Sequence, residues 1–87
     1  MSISVKYTAE FINLYNKLES ELQMEAREKI VMFKEHENHR QLKVHKLHGK
    51  FAGYQSFSVN YRYRIVFKYS EKNGTLFMLI GDHDIYK

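Results

Sequence analysis

Two histidines and an arginine are the residues of this sequence that could do chemistry together. His45 and His83 each fall in a segment without helical period and close to a glycine, Gly49 and Gly81. Imidazole is the side chain whose ordinary pKa, about 6.5, lets it give and take protons near neutral pH. Arg64 lies in the apolar run Ile65-Val66-Phe67, toward the middle of a strand, where a guanidinium could be held rigidly and fork two phosphate oxygens. Two such imidazoles and one arginine suffice to cleave RNA without a metal. One group deprotonates a ribose 2′-OH, which attacks the neighbouring phosphate. The arginine stabilises the crowded oxyanionic phosphorus centre, and the other group protonates the departing 5′-oxygen. A loop histidine is more often a solvated polar residue, and on chemistry alone that reading leads.

Other cations surround this set. Arg62, Arg64 and Lys68 follow one another at even spacing and would share one strand face, with Lys43, Lys46 and Lys50 in the segment before it. The net charge is +4. Residues 1–40 carry six Lys/Arg and seven Asp/Glu, a balance of −1, whereas residues 41–87 carry eight and three, a balance of +5. That asymmetry points to a polyanionic or acidic partner for the second half. Solubility is the alternative use of such charge, with arginine stems covering apolar surface. His36, His39, His45 and His48 could suggest a metal, but no cysteine or acidic residue joins them at ligand spacing, so no metal or other cofactor is expected. His36 and His39 read instead as cations near a helix C-terminus.

The elements that must position these residues follow from hydrophobic period. Ile3, Val5 and Tyr7 alternate with polar residues as in a half-buried strand. Thr8 can cap a first helix of about three turns carrying Phe11, Leu14, Tyr15 and Leu18. Ser20 and Gln23 form a capping-box pattern opening a second helix, to about Glu37, with Leu22, Ala26, Ile30 and Phe33 buried. Segment 42–53 is irregular and basic. Strands are expected over Tyr54 to Val59, Tyr61 to Tyr69 and Thr75 to Ile80, the last two joined by a Lys72-Asn73-Gly74 turn. The expectation is an α+β domain spanning residues 1–87, β-α-α-β-β-β. A helical hairpin would cover the aromatic face of a mostly antiparallel sheet, leaving Ser56, Ser58, Arg62, Arg64 and Lys68 on the open face.

An 87-residue chain allows only a small core, yet seven Tyr and six Phe supply large rings for it. The absence of cysteine excludes disulfides and thiolate chemistry. With neither a signal-like N-terminus nor an apolar stretch of about 20 residues, a soluble cytoplasmic protein without membrane contact is expected.

Three stretches carry a resemblance: His45-Lys46-Leu47-His48-Gly49, Tyr61-Arg62-Tyr63-Arg64-Ile65-Val66-Phe67, and Leu79-Ile80-Gly81-Asp82-His83-Asp84-Ile85-Tyr86. Their order and separations resemble the RelE/ParE superfamily of toxin–antitoxin toxins, and within it the YafQ-like ribonucleases. The resemblance implies an endoribonuclease cutting mRNA in the ribosomal A site and neutralised by an acidic antitoxin. It implies that His45 and His83 are catalytic, His83 falling where RelE has a catalytic arginine. Arg64 would contact the scissile phosphate, and Tyr86 would stack on or orient the substrate base. Arg62, Lys46, Lys50 and Lys68 would add substrate contacts. A ribosome-bound enzyme needs little substrate-binding machinery of its own, because the ribosome presents the codon. Two departures stand out. Ser56 and Ser58 replace the lysines or histidine of the relatives' middle strand, and Arg62 replaces a YafQ-like acidic residue. These leave the acid and base roles to the two histidines and admit a weakened or inactive toxin. A ParE-like inhibitor of DNA gyrase, with no nuclease activity, is the other reading the superfamily allows.

Overall fold

The computed structural model describes residues 3–70 and 72–86, apart from the side chains of His83 and Tyr86. Along the chain run β1 (Ser4–Tyr7), α1 (Ala9–Asn16), α2 (Ser20–Phe33), β2 (His45–Lys46), β3 (Gln55–Ser58), β4 (Arg64–Tyr69) and β5 (Gly74–Gly81), with 3-10 turns at His36–Asn38, Gly49–Phe51 and His83–Tyr86. The strands form one sheet in the order β1-β5-β4-β3-β2. β1 lies parallel to β5, and every other pairing is antiparallel. The α+β arrangement expected from the sequence is therefore present, with one strand more.

The helical hairpin carries the chain from β1 at one edge of the sheet to β2 at the other, and it lays its apolar stripe on one sheet face. Phe33 of α2 is stacked on Phe57 at 4.7 Å and meets Phe67 and Phe77 edge-on at 4.8 and 5.4 Å. Phe11 of α1 packs on Phe77 at 5.6 Å. Phe11, Phe33, Phe57, Phe67 and Phe77 are all buried to 2% exposure or less, so this ring cluster is the core. Burying one such side chain is worth about 1.5–3 kcal/mol.

Thr8 joins helix to sheet. Its hydroxyl accepts from Phe11 N–H at 3.0 Å as the α1 cap and donates to the Met78 carbonyl at 3.1 Å. The β4–β5 register shifts between Val66 and Phe67, and Met78 falls where the pairing steps from Leu79 to Phe77. One side chain thus satisfies both a helix N-terminus and an irregular strand carbonyl.

The structure corrects the sequence reading at several places. α1 stops at Asn16 because the Lys17 and Leu18 amides donate to Leu14 and Tyr15, three residues back, which tightens and ends the turn. The expected capping box is absent. Glu19 is the cap residue, and Gln23 turns its amide to the Tyr15 carbonyl at 2.9 Å, tying the helices together instead. α2 ends at Phe33 rather than near Glu37, since Asn38 Nδ2 and His39 Nε2 take the Met32 and Phe33 carbonyls at 2.9 and 2.7 Å. His39 is not a surface cation. It is stacked on Phe33 at 4.4 Å, and burial first, with help from His36, lowers its pKa despite the Phe33 carbonyl bond. β4 begins at Arg64 and not at Tyr61, because the Asn60 side-chain oxygen accepts from the Arg62 and Tyr63 amides and folds 60–63 into a turn.

Candidate active site

The edge of the sheet places His45. Lys43 adopts φ 60, a left-handed conformation that costs a non-glycine residue energy. It turns the chain so that His45 and Lys46 pair with Ser56 and Gln55. Sequence reading expected His45 in a loop, but it is the first residue of β2. Gly49 and Gly53, both at positive φ, let the following segment fold back so that Leu47 N–H reaches the Tyr54 carbonyl at 3.0 Å.

The His45 ring is exposed, and its Nδ1 lies 2.8 Å from the Lys43 carbonyl oxygen. A carbonyl only accepts, so Nδ1 carries the proton and the neutral ring keeps its lone pair on Nε2. Ser56 Oγ stands 3.5 Å from that Nε2. Ser56 is fully buried, contrary to the expected open-face serine. Its burial follows from its place between His45 and Val66 in the register.

Arg64 lies one step along the same face. Ser58 is its register partner on β3, and Arg64 Nη1 donates to Ser58 Oγ at 2.9 Å. Ser56 and Ser58 are two residues apart, hence on one side of β3. His45 and Arg64 therefore share a face, separated by two strand spacings and two residues, about 12 Å between Cα atoms. The two serines that the sequence marked as departures each contact one of these groups. Their even spacing was the available signal, since it places both beneath whatever neighbours them across the sheet.

The C-terminal segment is drawn onto this face by a glycine. Gly81 is the register partner of Arg64. A Cβ at Gly81 would collide with the Ile85 side chain, so the His83–Tyr86 turn settles over the strand only because position 81 has none. The side chains of His83 and Tyr86, expected as catalytic and base-stacking groups, lie outside the described residues.

The remaining cations are dispersed. Arg62 is in the 60–63 turn rather than on the strand, with its Nη2 3.9 Å from Asp82 Oδ2 and its guanidinium 5.8 Å from the Tyr63 ring. Lys68 stays on β4 four residues from Arg64, about 13 Å away along the strand, with Nζ 6.0 Å from the Tyr54 ring. Lys50 sits in the Gly49–Phe51 turn with Nζ 5.6 Å from the Phe51 ring. Lys46 alternates with His45 and so leaves β2 on the other side, exposed at the edge. The expected three-residue stripe of Arg62, Arg64 and Lys68 reduces to Arg64 and Lys68.

A cavity of about 360 Å³ opens beside Arg64 and Ser58, with Lys29, Lys43 and Tyr61 in its wall. The periodicity of the sequence gave no sign of it, because it joins α2, the 41–43 segment and the 60–63 turn. Among the described residues no three His, Asp or Glu side chains are grouped to hold a metal ion. Among them, too, no helix is long and apolar enough to cross a membrane.

Residues 20–87 match the family model of the ParE-like toxin domain. The chain belongs to this family. No curated protein matches it. Among solved structures, the ParE-like chain is similar to the Escherichia coli DinJ–YafQ toxin–antitoxin complex at TM-score 0.73 and 15% identity, covering 98% of this chain and 97% of that one. The archaeal RelE–RelB complex of Pyrococcus horikoshii OT3 gives TM-score 0.73 and 14% identity over 94% and 96% of the two chains. The YoeB/ParE toxin of Agrobacterium tumefaciens gives 0.67 and 16% over 93% and 99%. At such identities these likenesses establish a RelE-like fold, two helices on a mostly antiparallel five-stranded sheet.

Proposed function

We propose that this ParE-like toxin domain is the toxin of a toxin–antitoxin pair and acts in the cytoplasm as a ribosome-dependent mRNA endoribonuclease. The observation that carries the reading is the His45 ring, exposed and fixed in one tautomer beside an arginine held on the same face. With Nδ1–H committed to the Lys43 carbonyl, Nε2 is the basic atom, and it exchanges its long 3.5 Å contact with Ser56 Oγ for the 2′-hydroxyl whose proton it accepts. The 2′-oxygen attacks phosphorus, the bond from phosphorus to the 5′-oxygen breaks, and a 2′,3′-cyclic phosphate and a 5′-hydroxyl result. Arg64 faces the phosphate as charge grows on its oxygens. His83, which follows Gly81 by two residues, is assigned as the proton donor to the leaving 5′-oxygen. Tyr86, the terminal aromatic of the same turn, stacks on or orients the substrate base. Lys46, Lys50, Arg62 and Lys68 give outlying phosphate contacts and make association salt-sensitive. No metal or cofactor is needed by this route. The antitoxin is an acidic protein, matched to the +5 balance of residues 41–87.

Induced expression tests the reading. Discrete cuts in translated mRNA that vanish when translation is blocked support it, and growth arrest without cuts sinks it. The ParE-like family match favours one other reading, inhibition of DNA gyrase by binding alone. A DNA-damage response with intact mRNA is its signature. A third outcome, normal growth with a tight antitoxin complex, would mark a toxin that has lost its chemistry at Ser56 and Ser58.

A further inference from the structure

We propose that the cavity beside Arg64 is a subsite for one nucleotide of single-stranded RNA flanking the scissile phosphate, an inference that rests on the ribonuclease reading and names a specific part of its substrate contact. The cavity, about 360 Å³, is walled by Lys29 from α2, Gln41 and Lys43 from the segment before β2, and Tyr61 and Arg64 from the turn and strand that follow β3. That volume is at the lower end of small-molecule sites and suits one mononucleotide.

The charges favour an anion. Lys29, Lys43 and Arg64 bring three positive charges to the lining, and Glu25 is the single acid there. Glu25 is already engaged, its Oε1 accepting from Asn60 Nδ2 at 2.8 Å. Arg64 reaches both the cavity and the face it shares with His45, so a chain bound here continues directly onto the candidate catalytic residues. Lys43 also joins the two, since its carbonyl holds the His45 ring and the residue lines the cavity.

Tyr61 distinguishes a nucleotide from a bare phosphate. Its side chain is 92% exposed, far beyond any other large apolar or aromatic residue among those described. An aromatic ring in water beside a cationic cavity is a platform on which a base of any kind can stack. Gln41 offers an amide donor and acceptor to the base edge. The Asn60 turn gives the ring a rigid base, because the amides of Arg62 and Tyr63 are both held by its oxygen.

The test is an NMR titration of the folded, isotope-labelled protein with a nucleoside 3′-monophosphate, and separately with inorganic phosphate. Binding needs no turnover, so a protein that binds nucleotide but makes no cuts refutes the nuclease reading and leaves the subsite standing. Saturable amide shifts are expected at Gln41, Lys43, Asn60 and Tyr61. Tyr61→Ala should weaken nucleotide binding about tenfold and leave phosphate binding unchanged, whereas Lys29→Gln should weaken both. Lys17→Gln, on the far end of α1, should change neither. Absent or unsaturable shifts would overturn the proposal. So would equal affinities for nucleotide and phosphate with no effect of Tyr61→Ala, because the cavity would then be a plain anion site. Displacement of no nucleotide but tight capture of an acidic peptide would assign the cavity to a protein partner and overturn it as well.

Discussion

Two histidines in this fold make the same bond in opposite surroundings. His39 donates Nε2–H to the Phe33 carbonyl at 2.7 Å, and His45 donates Nδ1–H to the Lys43 carbonyl at 2.8 Å. Each bond fixes a tautomer. His39 then disappears beneath the end of α2, 7% exposed and stacked on Phe33, where burial resists its protonation. His45 stands exposed at the sheet edge, with its second nitrogen held only by a long 3.5 Å contact to Ser56 Oγ on the face of Arg64. A carbonyl bond alone does not make an imidazole structural or catalytic. What packs on the rest of the ring decides.

Substitutions can separate the two regions. The largest effect on chemistry is expected from His45→Ala, a loss of about 10²–10⁴-fold in cleavage rate, with thermal stability within about 0.5 kcal/mol of the parent. Phe33→Ala, in the other region, should do the reverse. It removes the ring that meets His39, Phe57, Phe67 and Phe77 and should cost about 3–5 kcal/mol in denaturant unfolding. A smaller step is Ser58→Ala. It strips Arg64 of a 2.9 Å acceptor, and should lower cleavage several-fold to about tenfold while a Ser58→Thr variant, which keeps the hydroxyl, recovers most of it. Full activity in Ser58→Ala would show that Arg64 needs no such anchor.

The smallest effect is a pH dependence. His39 has a lower pKa folded than unfolded, so its contribution is fully present above about 6.5 and is lost as pH falls toward its folded value. Melting temperature should therefore fall between pH 7 and 5, and His39→Gln should flatten that part of the curve while keeping a donor for the Phe33 carbonyl. An unchanged slope in His39→Gln would place the titration elsewhere.

The sequence made this contrast legible only in part. The alternation around Phe57, Phe67 and Phe77 and the helical spacing through Phe33 gave the layers and the core face, because burial repeats at the period of the element. The Lys72-Asn73-Gly74 turn was readable for the same local reason, and Asn73 does take φ 51. Helix ends were not. Gln23, Asn38 and His39 bond back to carbonyls six to eight residues earlier, and no hydrophobic period records a choice between a cap and such a partner. The candidate site was legible only as residue types, His45 and Arg64, and its geometry was hidden. A strand of two residues held by a left-handed Lys43 has no periodic signature, and Arg62 was misplaced because the Asn60 turn breaks a run that reads as one strand. Ser56 was assigned to solvent since alternation names a face and says nothing about what covers it.

Primer extension on a translated mRNA, after induction of the parent protein and of His45→Ala, tests the central claim most directly. The parent is expected to give discrete, translation-dependent cuts, and the variant, with an unchanged melting curve, is expected to give none. Equal cuts from both would remove His45 from the mechanism, and no cuts from the parent would contradict the nuclease itself.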